Sequence, residues 1–326
     1  MASRLIVPLP SGGQTHGDDA KRSSVECAAR TSKRRANHGG LSRSFLDIDA
    51  LRSTIGRLAF PSPRRRPVRP YGDGTAHILV TGAAGTIGQI AIRALAEEYV
   101  VHGLDLKARP GVEWVRDVAK IGRIEPAVAG MTAVVDLAAD ASVSASWKSV
   151  TQNNIPATVN VLEAARKAGV QRVIFASSNH VVGMYERDEP YASVIAGSYD
   201  GLDPTELPRL RTDVPIRPDG PYGVGKAFGE AAARYYAETH GLSVICLRIG
   251  TVNAANQPTN QRQFATLLTH RDLIHLIRCC VAAPASLRFG IFYGVSANTW
   301  RFWDIDDARE AIGYRPQDDA EQWRSG

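Results

Sequence analysis

The chain has 326 residues, enough for one large hydrophobic core or two smaller ones. Its formal charge of +6 is unevenly spread, because residues 1–74 hold 14 Lys and Arg against 6 Asp and Glu, while the remainder is slightly acidic. A basic protein often binds nucleic acid, but here the basic excess lies outside the part whose pattern predicts a fold. Apolar runs also fall short of the roughly 18 residues of a membrane span. We therefore expect neither nucleic acid nor a membrane as a partner.

The four cysteines are Cys27, Cys246, Cys279 and Cys280, and their spacing matches neither Cys-x-x-Cys nor the Cys/His patterns of zinc sites. The sequence therefore predicts no metal site. The start also lacks the long apolar stretch of a secretory signal. A reduced, cytoplasmic protein is the expectation.

Residues 1–74 are rich in Ser, Arg, Gly and Pro, and such a segment buries too little apolar surface to offset its ordering entropy. We predict a disordered basic extension, or a stretch translated from a start codon placed too far upstream. Apolar residues at helical spacing between 45 and 58 allow a short helix. An organellar transit peptide and a nucleic-acid arm are the alternatives, and the acidic residues count against the transit peptide.

From residue 75 onward, short β-branched apolar runs alternate with Ala-rich helical stretches. The predicted strands are 77–81, 99–105, 133–137, 172–177 and 243–248, and the predicted helices are 87–98, 155–168, 223–239 and 263–282. This alternation is typical of a parallel sheet covered by helices on both faces. The prediction is an α/β domain over 75–326, a Rossmann-type doubly wound parallel sheet with a core to about residue 250 and a small C-terminal lobe over 251–326.

The first strand runs into the glycine-rich stretch TGAAGTIG at 81–88, which then opens a helix. Glycines permit a tight turn and the close approach of a pyrophosphate, whose charge the free backbone N–H groups and the helix dipole stabilise. The residues of this turn predicted to contact a cofactor are Gly82, Gly85, Thr86, Ile87 and Gly88.

Asp105 ends the next strand, 17 residues after Gly88. A carboxylate there accepts hydrogen bonds from the adenosine ribose hydroxyls and repels a 2′-phosphate. The pattern therefore predicts NAD as the cofactor and the core as an NAD-binding unit, although Lys107 nearby keeps NADP open. A glycine-rich turn that only packs a helix on a sheet is the alternative.

A Tyr-x-x-x-Lys pair follows, formed by Tyr222 and Lys226, which a helix would place on one face. A phenol with a pKa of about 10 is a poor base at neutral pH, so a neighbouring ammonium and a positive nicotinamide are needed to favour the phenolate. Ser178 stands just past a predicted strand, where α/β sheets bind their ligands. It is the candidate for holding a substrate hydroxyl. The order of these motifs argues against a chance Tyr-x-x-x-Lys on a surface helix.

The order TGAAGTIG, SSNH, YGVGK and LRIG resembles the extended short-chain dehydrogenase/reductases, within the NAD-dependent epimerase/dehydratase superfamily. SSNH followed by RPDGPYGV is similar to uronate dehydrogenases in particular. The resemblance covers residues 76 to about 323. It implies that Ser178, Tyr222 and Lys226 form a catalytic trio. It also implies further cofactor contacts at the adenine from Asp117 and Val118, at the nicotinamide from Ala138 and Ala139, and from Asn154, which supports the lysine through water.

The same resemblance implies a sugar substrate, oxidised at its anomeric hydroxyl to a lactone. The residues matching those that face the sugar in uronate dehydrogenases are Ser142, Asn179, His180, Thr251 and Arg262. Arg262 suits a carboxylate, since guanidinium binds such groups in a bidentate fork. A satisfied histidine at a strand end and an ordinary surface arginine are the alternatives for His180 and Arg262.

Ser178 and Tyr222 lie 44 residues apart, a longer loop than uronate dehydrogenases usually have. This loop is similar to that of archaeal NAD-dependent glucose-6-phosphate dehydrogenases. The charge of the sugar is therefore left open. Four arginines could hold a phosphate or simply be solvated, namely Arg187, Arg209, Arg211 and Arg217.

A redox-neutral nucleotide-sugar epimerase or dehydratase using bound NAD is the main rival. Dehydratases usually place an acidic pair after the active-site serine, where this chain has Asn179 and His180. A non-catalytic NAD sensor on the same fold is a third hypothesis, and a homo-oligomer is compatible with the sequence. The prediction is an NAD-dependent oxidoreductase.

Overall fold

A computed structural model describes residues 75–120 and 122–324. In this part of the chain seven strands form one wholly parallel sheet in the order β3-β2-β1-β4-β5-β6-β7. The strands are β1 His77–Thr81, β2 Val100–Asp105, β3 Trp114–Val115, β4 Ala133–Asp136, β5 Arg172–Ser178, β6 Ser243–Ile249 and β7 Phe289–Gly294. The strand order reverses direction at β1, so the carboxyl ends of β1 and β4 flank the switch point at which such sheets bind ligands.

Helices cover both faces of the sheet. They are α1 Thr86–Leu95, α2 Glu125–Val128, α3 Trp147–Ser149, α4 Ile155–Ala168, α5 Tyr191–Ala196, α6 Pro221–His240, α7 Gln263–Thr266, α8 His270–Ala282 and α9 Asp306–Ile312, with a π-helical turn at Val150–Asn154 and 3-10 segments at Asn179–Arg187 and Ala320–Trp323. Helices α1, α8 and α9 pack on one face, whereas α2, α4 and α6 pack on the other. The predicted doubly wound α/β fold is confirmed. In the described residues no helix combines the length and apolarity that a membrane crossing needs.

Alternation along the strands divides the core between the two faces. In β1, Ile78 and Val80 contact one helical layer, and Leu79 contacts the other. All three side chains are fully buried. A strand covered on both sides is apolar throughout, which is why short continuous apolar runs predicted these strands.

The five predicted strands are all present, and each observed end lies within one residue of the predicted one. The predicted helix over 263–282 is wrong as a single element. The chain leaves α7 at Leu267, pairs with Thr251, and starts α8 afresh with Thr269, whose side chain accepts a hydrogen bond from the Asp272 N–H. Strands β3 and β7 were not predicted from the sequence. The predicted disordered extension at 1–74, with its helix between 45 and 58, lies outside the described residues.

A third apolar cluster lies beside the sheet, built from the segment between β5 and α6 and the residues after β7. Val181 and Leu210 from the first segment pack with Phe302 and Trp303 from the second. The Leu210 N–H donates to the Phe302 carbonyl at 2.7 Å. The long stretch between Ser178 and Tyr222 is therefore a packed part of the fold.

A buried ion pair joins α6 to the sheet. The guanidinium of Arg248 on β6 donates to both carboxylate oxygens of Glu230 on α6, each at 2.9 Å. The Ser177 hydroxyl, at the end of β5, donates to the same carboxylate at 2.6 Å. Both charged side chains are almost completely buried. Removing one partner would leave the other charge buried without compensation.

We expect Glu230→Ala to lower the free energy of unfolding by about 3 to 5 kcal/mol, because it leaves the Arg248 charge unpaired in the interior. Urea denaturation followed by circular dichroism measures this change. Glu238→Ala is the matched control, since Glu238 pairs with Arg234 on the exposed side of the same helix. That substitution should cost less than about 1 kcal/mol. Equal losses in the two variants would contradict a stabilising role for the buried pair.

Candidate active site

A cleft of about 540 Å³ lies at the carboxyl ends of the central strands. A second cavity of about 270 Å³ continues it towards β2. Gly82, Asp105 and Ala139 line both, so the two form one groove across the switch point of the sheet. A groove of this kind suits an elongated ligand.

The glycine-rich turn after β1 forms one wall of this groove. Gly82 has a φ of +64°, and a Cβ there would lie 2.7 Å from the Leu137 carbonyl carbon. A Cβ on Gly88 would lie 2.3 Å from the Gly82 oxygen. Side chains are therefore excluded at both positions. Helix α1 begins directly after Gly85, which gives its first N–H groups no side-chain cap. The cradle fits a pyrophosphate.

Asp105 lies where the two cavities meet. One carboxylate oxygen accepts the Ala84 N–H of the glycine-rich turn at 3.0 Å, and the other accepts the Lys107 N–H at 2.9 Å. These bonds hold the carboxylate beside the turn, as an adenosine ribose would require. The residues predicted beside the adenine and the nicotinamide also line the groove, with Asp117, Val118 and Ala138 in the smaller cavity and Ala139 in both. Thr86 and Ile87 of the glycine-rich turn line the larger cavity.

Asn154 stands apart from the other predicted cofactor residues, because it is not among the described residues that line the groove. It is buried, and its side-chain oxygen accepts the Asp140 N–H at 2.8 Å. Its side-chain nitrogen donates to the Asp140 carbonyl at 3.0 Å. Asn154 thus fixes the loop that follows β4. Its predicted water-mediated support of the lysine stays a prediction.

Ser178, Tyr222 and Lys226 all line the larger cavity. Tyr222 lies in the first turn of α6, and Lys226 follows one turn later on the same face. The Lys226 Nζ donates to the Ala176 carbonyl at 2.6 Å and lies 5.7 Å from the centroid of the Tyr222 ring. The segment after β5 can approach α6 because residue 223 is a glycine, where a Cβ would lie 2.3 Å from the His180 oxygen. The predicted trio is therefore brought together.

Burial opposes charge on both members of the Tyr/Lys pair. It raises the pKa of Tyr222 to about 12, against a hydrogen bond with Ser178 that lowers it. It lowers the pKa of Lys226 to about 8, against the nearby Asp136 carboxylate, which raises it. Desolvation disfavours the charged form of either group. Tyr222 can accept a proton only as the phenolate, and this form needs positive charge close to it.

Asp136 is a buried carboxylate that sequence reasoning missed. It ends β4, is 3% exposed, and accepts a hydrogen bond from the Thr81 hydroxyl at 2.6 Å. The Thr81 oxygen in turn accepts the N–H groups of Leu137 and Ala138, each at 3.2 Å. Burial raises the pKa of Asp136 to about 6. The available signal was an acidic residue closing an otherwise apolar strand.

His180 lines the larger cavity and is paired with Asp219. The His180 Nδ1 lies 2.7 Å from an oxygen of Asp219, and its ring meets the Tyr222 ring edge to face. Burial is the largest single influence and raises the pKa of Asp219, but the hydrogen bond and charge of His180, a backbone hydrogen bond and the Arg262 charge together lower it overall. Asp219 was not predicted as a site residue. It orients the imidazole and leaves Nε2 for a ligand.

The other predicted sugar contacts differ in their placement. Asn179, Thr251 and Arg262 line the larger cavity, whereas Ser142 does not belong to its described wall and instead bonds Ser144 at 2.9 Å. Among the described residues, the buried Nδ2 of Asn179 has no hydrogen-bond partner. Arg262 is paired with Glu186, a second acidic residue that the sequence did not single out.

Comparisons with known proteins agree with this geometry. The model of the NAD dependent epimerase/dehydratase family matches residues 78–312. The chain belongs to this family. It is 36% identical to an NAD-dependent glucose-6-phosphate dehydrogenase of Haloferax volcanii, over 76% of this chain and 95% of the relative. It is 34% identical to an L-arabinose 1-dehydrogenase (NAD(P)(+)) of the same organism, over 75% and 98%.

Among solved structures, the chain is similar to a uronate dehydrogenase from Agrobacterium tumefaciens. The TM-score is 0.64 at 35% identity, covering 76% of this chain and 87% of that one. The family resemblance predicted from the motifs is confirmed.

We expect the stability of the protein to depend on pH through Asp136. The carboxyl has its ordinary pKa of 3.8 in the unfolded chain, whereas burial raises its pKa in the folded protein to about 6. Between these values the native state binds more protons, so the free energy of unfolding falls as pH rises. The loss is on the order of 2 to 3 kcal/mol.

Asp136→Asn keeps an acceptor for Thr81 but cannot ionise, so its free energy of unfolding should lack this decline. Urea denaturation at pH 4 and pH 6 measures the difference. The exposed Asp200→Asn serves as the control and should run parallel to the unaltered protein. Parallel curves for Asp136→Asn and the unaltered protein would rule out the assignment.

Proposed function

We propose that this protein is an NAD-dependent dehydrogenase that oxidises the anomeric hydroxyl of an aldose or aldose derivative to a lactone. The observation that carries the proposal is the convergence of Ser178, Tyr222 and Lys226 on a cleft that continues to the glycine-rich turn and Asp105. The relatives named above are dehydrogenases of glucose 6-phosphate, arabinose and uronate, which supports a sugar substrate.

The groove supports NAD as the cofactor. The glycine-rich turn would hold the pyrophosphate with backbone N–H groups, and Asp105 would accept the ribose hydroxyls. Asp117 and Val118 would lie beside the adenine, with Ala138 and Ala139 nearer the nicotinamide. NAD held in this groove would supply the hydride acceptor for the anomeric carbon and a positive charge in the site.

Tyr222 is the general base in this proposal. Ser178 would hold the sugar hydroxyl, and the Tyr222 oxygen would take its proton. The Lys226 ammonium, fixed by the Ala176 carbonyl and favoured by the Asp136 carboxylate, would stabilise the phenolate. Because burial, only partly offset by the hydrogen bond with Ser178, raises the pKa of Tyr222 to about 12, this positive charge is essential to the step.

The residues after Ser178 favour oxidation over dehydration. A dehydratase needs an acid to expel water, and this position holds Asn179, whose carboxamide carries no acidic proton. His180 is committed through Nδ1 to Asp219. Incubation with nucleotide sugars tests the rival directly, since an epimerase or dehydratase converts them without net formation of NADH.

We expect Tyr222→Phe to lower kcat/KM by about 100-fold to 10,000-fold, because the general base is lost. NADH absorbance measures turnover with glucose, glucuronate, galacturonate and glucose 6-phosphate, and equilibrium binding of NAD should change little. Tyr235→Phe, an exposed phenol on the same helix, is the matched control and should retain full turnover. Full activity of Tyr222→Phe would remove Tyr222 as the base.

We expect Asp105→Asn to weaken the preference for NAD over NADP by at least about tenfold in kcat/KM, because the charge that repels a 2′-phosphate is gone. Asp117→Asn alters the adenine end, which the two cofactors share, so it should affect both alike. Steady-state kinetics with each cofactor measures the ratio. An unchanged ratio in Asp105→Asn would show that Asp105 does not discriminate between them.

A further inference from the structure

Arg262 is the cleft-lining arginine that could bind an anionic sugar, but Glu186 already occupies its guanidinium. Arg262 Nε donates to one Glu186 carboxylate oxygen at 2.7 Å, and Nη2 donates to the other at 2.6 Å. The side chains are 26% and 12% exposed, respectively. The remaining terminal nitrogen, Nη1, lies 3.3 Å from the Thr251 hydroxyl. Glu186 thus takes the Nε/Nη2 edge and Thr251 contacts Nη1, so a substrate carboxylate could reach the guanidinium only at its Nη1/Nη2 end, beside a carboxylate that already neutralises the charge.

Glu186 is held in place by the segment that carries it. The 3-10 segment Asn179–Arg187 buries Val181 and Val182 in the third apolar cluster. The Tyr185 ring packs under the Arg217 guanidinium, and its hydroxyl donates to the Pro215 carbonyl at 3.2 Å. A sugar carboxylate could displace Glu186 only by leaving that group partly buried and unpaired.

A second carboxylate adds to the negative charge at this end of the cleft. Asp219 is paired with His180, and Arg262 is close enough to contribute to lowering its pKa. Glu186 and Asp219 do not themselves line the cleft, but they place two carboxylates against the lining side chains Arg262 and His180. An anionic substrate would meet unfavourable electrostatics here.

The loop arginines that could have held a phosphate do not line the described cleft. Arg217 pairs with Asp188, and Arg211 pairs with Asp213. Arg209 donates to the Pro204 carbonyl at 2.9 Å. Arg187 is exposed at the surface.

Polar groups other than arginine and carboxylate side chains also line the cleft. The buried Nδ2 of Asn179 has no partner among the described residues. His180 keeps Nε2 outside its Nδ1 contact with Asp219, and the Thr251 hydroxyl contacts Thr266 and Arg262. These groups are suited to the hydroxyls of a neutral sugar.

We propose that the substrate is an uncharged aldose and that Glu186 excludes uronates and sugar phosphates by occupying Arg262. This inference rests on the proposed function and adds the substrate class to it. Glu186 acts here as a specificity residue through repulsion, which discriminates as effectively as a favourable contact.

The test compares sugars that differ only at C6. NADH formation is measured with glucose, glucuronate and glucose 6-phosphate, and with galactose and galacturonate, for the unaltered protein, Glu186→Gln and Asp188→Asn. The unaltered protein should show a kcat/KM for at least one neutral aldose about tenfold or more above that for its uronate. Glu186→Gln should reduce this ratio at least about tenfold, mainly through a lower KM for the uronate, because Arg262 is released.

Asp188→Asn is the matched control, since it removes a carboxylate from an arginine pair on the same segment but outside the cleft. The ratio of kcat/KM for the neutral aldose to that for its uronate should be the same in this variant as in the unaltered protein. Thermal shift of each NAD-loaded protein with glucose or glucuronate gives a second readout that needs no turnover. Glucuronate should stabilise Glu186→Gln more than it stabilises the unaltered protein.

A preference of the unaltered protein for glucuronate or glucose 6-phosphate over glucose would overturn the inference while leaving the dehydrogenase function intact. An unchanged sugar ratio and an unchanged thermal shift in Glu186→Gln would also overturn it. The proposed function fails separately, if none of the sugars yields NADH.

Discussion

The close packing of α6 against the end of β5 is the contact on which both the fold and the candidate site depend. A Cβ on Gly229 would lie 2.3 Å from the Phe175 ring, so the helix reaches the strand only because that residue is a glycine. Along the same face, Tyr222, Lys226 and Glu230 follow one another at intervals of one turn. They face Ser178, Ala176 and Ser177 at the strand end. Seating the helix therefore assembles the trio and the buried ion pair in one step.

The buried charges around this contact explain why the site is chemically poised. Lys226 is fully enclosed, and its pKa falls to about 8 even with the Asp136 carboxylate close by. Burial also disfavours the charged form of Asp136, whose pKa rises to about 6. The charge of Arg248, in contrast, is compensated by two hydrogen bonds to the Glu230 carboxylate. One pair is thus fully matched and structural, while the Lys226 and Asp136 environment stays responsive to any charge that enters the cleft.

Local signals predicted five of the seven described strands, the glycine-rich turn and the Tyr222/Lys226 pair, because each depends on periodicity or spacing within a few residues. The break between α7 and α8 depends on the pairing of Leu267 with Thr251, 16 residues earlier in the chain. The helical periodicity of 263–282 does not reveal this pairing. The acidic partners were missed for the same reason. Asp219 meets a histidine 39 positions away, and Glu186 meets an arginine 76 positions away. An acidic residue in a loop has no local feature that distinguishes a partner from a solvated charge.

The identity of Arg262 alone therefore does not determine which sugar the cleft accepts. An arginine with no acidic partner attracts a carboxylate, whereas the charge of Arg262 is already balanced by Glu186. The two cases share the same motif and the same fold. Relatives with this architecture can oxidise sugars of different charge, as the names glucose-6-phosphate, arabinose and uronate dehydrogenase indicate. We infer that selectivity in this chain follows from the partner that the guanidinium already has, which the segment between β5 and α6 supplies.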